Sequence, residues 1–467
     1  MWAMLTATDM WEEGVLMDEV TAFGSLSNSQ DTYPGQCRIR NYDALKRMSI
    51  VYTWVNGSVP CYRECRRKYG GDGEVGGSRD RESGELMYSI RSLRQFLPWH
   101  EGTVYIVAPS HAPPHWLNHS HPRIHVIHQD SLFPSSAKSY VPTFNTNVIE
   151  QFLYRIPGLS DLFMHMNDDY IFTAHVRPHD LFTCDGGIKL LHEPSIIGRS
   201  TAPDPSRGNW MQSVLTTRDA IDATLGYTPT RHFLKHAPFV YSCRALVRVH
   251  QLFTQQLRAT LPNRFRGPHD MNVPLLHHAY VLALGKTELG IPVENPPPTP
   301  EFQLLLLTDT NQEYTKKIFA AILNRRHGAK LLALNDEFTD MAVADTVRTF
   351  LATFLPVPSA FELEQRYASV EDDGANANEQ DCCTAGDGIV KDVGDDVVES
   401  SNSLVLRVEK PPSMAISFFR TCVHGAGFAL GIVFVLAAQH HLVRNSTDHR
   451  HHLHTETDGK EVNTSVV

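Results

Sequence analysis

Polar and apolar positions along the chain fall into short blocks whose period alternates between two and about 3.6, the signatures of strand and helix. Residues 1–45 are polar and unpatterned, and the β-branched and aromatic run SIVYTWVNG (49–57) then ends in Asn-Gly, which predicts a buried strand closed by a turn. The stretch GGDGEVGGSRD (70–80) predicts a flexible loop, and it contains neither GxGxxG nor a Walker lysine. In ELMYSIRSLRQF (85–96), Leu86, Ile90 and Leu93 recur at helical spacing together with Leu97, and Pro98 stops the helix. TVYIVA (103–108) and RIHVIH (123–128) predict two more strands. FNTNVIEQFLYRIPG (144–158) predicts a second helix with Asn145 or Asn147 as N-cap and Pro157 as stop; Val148, Phe152 and Ile156 share one stripe, and Glu150 points elsewhere.

A strand, LFMHM, follows and runs straight into Asn167, Asp168 and Asp169. Strands alternating with helices predict an α/β sheet covered by helices. In such sheets ligands collect outside the carboxyl ends of strands, where this carboxylate pair falls. Beyond Asp180 the pattern weakens. It resumes at RHFLKHAPFVYSCRALVRVHQLF (231–253), NRFRGPHD (263–270), a helical LLHHAYVLALG (275–285), AKLLALNDEF (329–338) and a helix ending at LPVPSAFE (355–362), with no internal repeat.

With 467 residues and 42% hydrophobic content the chain can bury a large core and form more than one folding unit. Its formal charge of −10 is concentrated: residues 371–399 hold ten Asp or Glu against one Lys, or −9, leaving about −1 elsewhere. That segment reads as a solvated linker, and without a basic face no nucleic-acid partner is expected. Of eight cysteines, Cys61 and Cys65 have CxxxC spacing but no second pair at zinc spacing, so a loop disulfide or buried thiols are expected instead of structural zinc. Residues 118–120, 445–447 and 463–465 are glycosylation sequons, and no basic-then-apolar leader opens the sequence. GAGFALGIVFVLAA (425–438) is too short to span a bilayer alone. Extended back to Ala415, with Arg420 and His424 snorkelling, it predicts a membrane helix within 413–443.

Candidate chemistry gathers at four places. The repulsion between Asp168 and Asp169 suits a hard divalent cation, Mg²⁺ or Mn²⁺, which keeps positions for substrate phosphates. Asn335 and Asp336 follow another apolar run and could add a second carboxylate. Arg264 and Arg266 flank Phe265, so on an extended segment both face one way, a fork for phosphate oxygens. His236, before Ala237-Pro238, sits on backbone biased away from helix and could serve as base or phosphate donor. Together these are parts for phosphoryl-group chemistry.

The strings IVYTWVNGS, RESGELMYSIRSLRQFLPW with VYIVA, PTFNTNVIEQFLYRIPGLSDLFMHMNDDYIF, KHAPFV with NRFRGPHD, and LALNDEF resemble, in order, the conserved regions of the Stealth family of sugar-1-phosphate transferases. The likeness covers about 48–362, in stretches 48–60, 79–180, 231–285 and 329–362. The family includes bacterial capsule polysaccharide phosphotransferases and the catalytic subunit of the lysosomal-enzyme N-acetylglucosamine-1-phosphotransferase. The resemblance implies a GT-A-like nucleotide-sugar transferase sheet flanked by helices, with an additional helical part. It implies Glu150, Asp169, His236 and Arg266 as catalytic residues, with Asp169 on Mg²⁺, Arg266 on the transferring phosphoryl group, and His236 or Glu150 as base. Trp54, Asn56, Gly57, Arg81, Glu85, Asn167, Asp168, Arg264, Asn335 and Asp336 would line the substrate site.

The implied reaction moves a hexose- or N-acetylhexosamine-1-phosphate from a UDP-sugar to a glycan or glycoprotein hydroxyl and releases UMP. A conventional glycosyltransferase releasing UDP, or an inactive membrane-tethered glycan-binding subunit, are the alternatives. The expected layout is a polar segment at 1–45, the transferase domain at 46–362, an acidic linker at 363–412, the membrane helix at 413–443 and a His-rich tail at 444–467. Family context, sequons and anchor point to a Golgi or other secretory-pathway membrane, with a homodimer allowed. Three positions depart from the family pattern: Ser49 and Val59 stand where it carries aspartate, and Ala333 where it carries cysteine. The departure at Ser49 would bear on a nucleotide contact.

Overall fold

The computed structural model describes residues 37–77, 81–109, 114–198 and 208–363. Its main sheet has five strands: β1 (Ser49–Thr53), β2 (Val104–Ala108), β3 (Ile124–His128), β4 (Leu162–Asn167) and, after a shorter strand, β6 (Phe239–Ser242). The shorter strand, β5 (Tyr170–Phe172), belongs to a second sheet with β7 (Phe302–Leu307) and β8 (Leu331–Asp336). In the main sheet the order is β3-β2-β1-β4-β6. The first four strands are parallel, and β6 runs antiparallel to β4.

β1 is buried on both faces, which its uninterrupted apolar run anticipates. Ile50 and Tyr52 enter one core with Ile90, Leu93, Ile106, Met164 and Met166, and Val51 enters another with Val107, Val148, Phe152, Phe163 and Leu246. The helix α1 (Pro60–Gly70) follows β1, and α2 (Glu85–Phe96) has the bounds its periodicity predicts. α2 buries Leu86, Ile90, Leu93 and Phe96, each worth about 1.5–3 kcal/mol, so Ile90→Ala would cost about 2–5 kcal/mol. Its polar positions are also used: Ser89 Oγ donates to the Tyr170 carbonyl at 2.5 Å and lies 3.1 Å from the Tyr52 hydroxyl, tying the two sheets together.

The second predicted helix is shorter than expected. It forms α3 (Thr146–Ile149), with the Asn145 side chain capping the Asn147 N–H, and then tightens into a 3-10 turn over Glu150–Arg155. This turns Glu150 inward, to 9% exposure, instead of leaving it off the buried stripe. The quiet region after Asp180 contains α4 (Asn209–Leu225), preceded by a strand at His192–Ile196 that pairs antiparallel with His232–Leu234. The helical part also includes α5 (Cys243–Leu252), α6 (Val273–Tyr280) with a π-turn at Val281–Gly285, α7 (Gln312–Leu323) and α8 (Met341–Phe354).

Cys37 and Cys184 form a disulfide that ties residues 147 apart. Cys61 and Cys65 are also disulfide-bonded, on α1 and not in a loop. Among the described residues no helix is long and apolar enough to cross a membrane; the membrane helix expected within 413–443, the acidic linker and the tail lie outside them.

Candidate active site

The sheet order reverses direction at β1: β2 and β3 extend to one side and β4 to the other, which makes the crevice beyond the ends of β1 and β4 the topological switch point. Thr53 at the end of β1 registers with Asn167 at the end of β4. The chain leaves β1 as Trp54-Val55-Asn56-Gly57 and leaves β4 as Asp168-Asp169, so both segments line the same crevice. Asp168 and Asp169 make the turn that carries the chain from β4 into β5 and the second sheet. The Leu334 N–H donates to the Asp169 carbonyl at 3.0 Å, which brings the end of β8, with Asn335 and Asp336, to the same edge.

Four carboxylates converge there. The loop before α2 holds Glu82 and Glu85 by backbone donors: Gly84 N–H to Glu82 at 2.9 Å and Ser83 N–H to Glu85 at 2.8 Å. Gly84 adopts φ +84°, a conformation that favours glycine. Burial and the charges of Asp169, Glu85 and Glu82 push the Asp168 carboxyl well above its usual range. Burial and Glu85 raise Glu82 to about 7, against the Trp54 indole beside it, and burial raises Glu85. Sequence reasoning missed Glu82, because one acid ahead of a helix has no periodic signal.

His236 reaches this cluster from the loop before β6: its Nε2 lies 3.6 Å from Asp169 Oδ2, and its ring meets the Tyr170 ring edge-on at 5.1 Å. Near the same tyrosine, whose hydroxyl feels its charge, lies Glu150. Burial lifts its carboxyl to about 7 although the Arg266 guanidinium pulls it down. Glu150 Oε2, Asp169 Oδ1 and the hydroxyls of Tyr170 and Tyr241 are buried oxygens without a hydrogen-bond partner among the described residues. Buried polar atoms in native folds normally have partners, so their concentration here marks a site that a ligand completes.

Arg266 is set by a clamp. The buried Asp270 carboxylate accepts from Asn145 Nδ2 at 2.7 Å, Asn263 Nδ2 at 2.7 Å, Asn147 Nδ2 at 3.5 Å and the Gly267 N–H at 2.8 Å. This ties loop 263–270 to the start of α3, where Arg266 Nη2 donates to Thr146 Oγ1 at 2.8 Å. Arg264 does not join it. The backbone bends at 264–265, so the same-face argument for an extended segment fails. Arg264 Nη1 donates to the carbonyls of Tyr140, at 2.8 Å, and Pro142, and its guanidinium lies over the Tyr69 ring.

Arg81 and Asp336 do meet, but as partners to each other. Arg81 Nε and Nη2 both donate to the Asp336 carboxylate, and Nη2 also donates to the Phe338 carbonyl at 2.8 Å. Asp336 is therefore neutralised by Arg81 and does not stand as a free second carboxylate. Asn335 Nδ2 bonds Glu337 at 3.2 Å, and Asn56 Oδ1 closes its own turn by accepting from Ser58 N–H at 2.9 Å. Gly57 is buried beside that turn. Ser49 lies at the opposite end of β1, about 13 Å from Thr53 at strand rise, and exchanges hydrogen bonds with Ser160. Its substitution therefore does not bear on a nucleotide contact at the crevice.

Three stretches match the family models of Stealth conserved region 1 (residues 46–74), region 2 (79–190) and region 3 (235–283). The chain belongs to the Stealth family. It is 31% identical over 331 residues to an exopolysaccharide phosphotransferase of Streptomyces coelicolor, covering 69% of this chain and 53% of that protein. It is 28% identical over 330 residues to the exopolysaccharide phosphotransferase CpsY of Mycobacterium tuberculosis, covering 68% and 59% respectively. The chain thus spans a little over half the length of these curated relatives. A galactosyltransferase, LgtC, solved with donor and acceptor sugar analogues, is 11% identical with a TM-score of 0.32 over 67% of this chain and 98% of that one. A superposition that loose decides nothing about the chemistry.

In this Stealth protein Trp54, Asn56 and Gly57 fall within region 1, and Arg81, Glu85, Glu150, Asn167, Asp168 and Asp169 within region 2. His236, Arg264 and Arg266 fall within region 3. The family implies a divalent cation, and the donor set fits one: converging carboxylates repel one another, and Asp169 Oδ1 is buried without a partner among the described residues. Among those residues no three His, Cys, Asp or Glu side chains could hold an ion together. The protein would therefore offer one or two carboxylates, Asp169 first, and substrate phosphates the rest, which is the usual Mg²⁺ arrangement.

Proposed function

We propose that this protein transfers a hexose- or N-acetylhexosamine-1-phosphate from a UDP-sugar to a hydroxyl of a glycan or glycoprotein, with release of UMP. The observation that carries the reading is the approach of His236 to Asp169 at the switch-point crevice, with Glu150 near Tyr170 and in the field of the Arg266 guanidinium. The relatives' names, exopolysaccharide phosphotransferases, support the same class of chemistry.

An acceptor oxygen attacks the phosphorus next to the sugar, the bond from that phosphorus to the UMP oxygen breaks, and the anomeric C–O bond is kept. Arg266 faces the charge that spreads over the phosphoryl oxygens. His236 takes the acceptor proton: its ring is part-exposed beside Asp169, where Glu150 is buried. Glu150 balances and orients Arg266. A divalent cation held by Asp169 would neutralise diphosphate charge. The Cys37–Cys184 disulfide supports an oxidising compartment.

The test is the product nucleotide. Purified protein with UDP-N-acetylglucosamine or UDP-glucose, Mg²⁺ and a glycan acceptor is expected to release UMP. Release of UDP would replace the reading with conventional glycosyl transfer.

A further inference from the structure

Away from the crevice, the strand His232–Leu234 and helix α6 wall a cavity of about 170 Å³. Leu225, Leu234 and Leu275 give it an apolar side, and Thr228, Thr230 and Arg231 a polar one. An apolar cavity of about 150 Å³ accepts benzene, so this volume suits one six-membered ring.

Among the described residues the charge beside it does not balance. Arg231 Nη2 donates to Asp222 Oδ1 at 2.9 Å, and Arg218 Nη2 lies 3.5 Å from Asp222 Oδ2. Two guanidiniums thus share one carboxylate, and the three side chains are only 11%, 3% and 13% exposed for Arg231, Arg218 and Asp222. Arg231 Nε and Arg218 Nε and Nη1 are buried without a hydrogen-bond partner among the described residues. A surplus buried cation is expensive unless an anion meets it. Leu234, on the cavity wall, precedes His236 by two residues, at most about 7 Å of extended chain.

We propose that this cavity binds an anionic sugar residue, its carboxylate or phosphate against Arg231 and its ring against the leucines. Resting on the phosphotransferase reading, that residue is part of the acceptor glycan, held beside His236.

The full chain is titrated calorimetrically with glucuronate, glucose 6-phosphate, glucose and inorganic phosphate. The charged sugars are expected to bind at least about tenfold more tightly than glucose and than phosphate alone, and Arg231→Gln to remove that advantage with UDP-sugar binding unchanged. Glucuronate against glucose 6-phosphate tells which anion the site takes. Equal binding of glucose, equal binding of bare phosphate, or an unaffected Arg231→Gln would overturn the proposal. Should that variant not fold, Leu282→Trp, at a half-exposed rim position, is expected to block both charged sugars, and undiminished binding would overturn it equally. The titration needs no turnover, so failure of the phosphotransferase reading shows separately, in the nucleotide assay.

Discussion

His236 Nε2 stands 3.6 Å from Asp169 Oδ2, two side chains delivered by segments 67 residues apart in sequence. If His236 takes the acceptor proton, His236→Gln is expected to lower kcat by about 100-fold or more, and by more than Glu150→Gln does. Asp169→Asn is expected to lower kcat by about 100-fold or more, since it removes charge from the position assigned to the cation. Rates across pH for the three variants check both statements.

Glu150 makes a prediction about stability. Its carboxyl sits at about 7 in the fold against an ordinary 4.5. Below 4.5 it is protonated in both states; as pH rises from there to 7 the unfolded chain releases its proton first, so stability falls, and above 7 the loss is complete. The shift corresponds to a penalty on the order of 3 kcal/mol. Glu150→Gln should therefore be more stable than the wild type at pH 8, equal to it near pH 4, and slower in turnover. Denaturant melts at the two pH values measure this. Mg²⁺ should offset the parallel contributions of Glu82, Glu85 and Asp168 without altering the share that Glu150→Gln removes.

Much of this arrangement was legible in the sequence where period and punctuation agreed. The α2 helix is read from Leu86, Ile90 and Leu93, and β4 from an apolar run ending in Asn167. The 3-10 tightening that turns Glu150 inward was not legible, because the apolar stripe of Val148, Phe152 and Ile156 fits a regular helix equally well. Nor were the partners of Arg264: its carbonyl acceptors lie more than 120 residues away in sequence, and only tertiary structure brings them together. Asp270 had no local signal either, since its donors come from Asn145, Asn147, Asn263 and Gly267.

That buried carboxylate should act at a distance. Asp270→Ala leaves several amide donors without an acceptor and is expected to cost about 3 kcal/mol of stability. Because the loop it releases carries Arg266, kcat should fall in the folded fraction at 15 °C while UDP-sugar KM changes little. Steady-state kinetics on protein shown to be folded by circular dichroism would check this.

The two arginines of NRFRG should separate cleanly. Arg266→Ala is expected to reduce kcat by about 100-fold in protein shown to be folded, and Arg266→Lys to restore little, since a point charge cannot replace a planar fork. Arg264→Ala should instead destabilise the fold by about 1–3 kcal/mol, because it leaves the carbonyls of Tyr140 and Pro142 without their donor. Equal kinetic damage from both substitutions would contradict their separate placement.

Arg81 and Asp336 form a two-pronged ion pair joining the loop before α2 to the end of β8. Their side chains are 20% and 27% exposed, so screening is partial and the pair should couple by about 1–3 kcal/mol. Arg81→Ala alone frees Asp336 as an uncompensated carboxylate beside the acidic cluster, and Asp336→Ala alone frees a guanidinium that can still face a diphosphate. The first substitution should therefore raise UDP-sugar KM more than the second, and the double substitution should be less damaging than the sum of the two. A double-mutant cycle on donor binding decides it: additive effects would mean that each residue contacts the donor independently, and the ion pair would have no part in shaping the crevice.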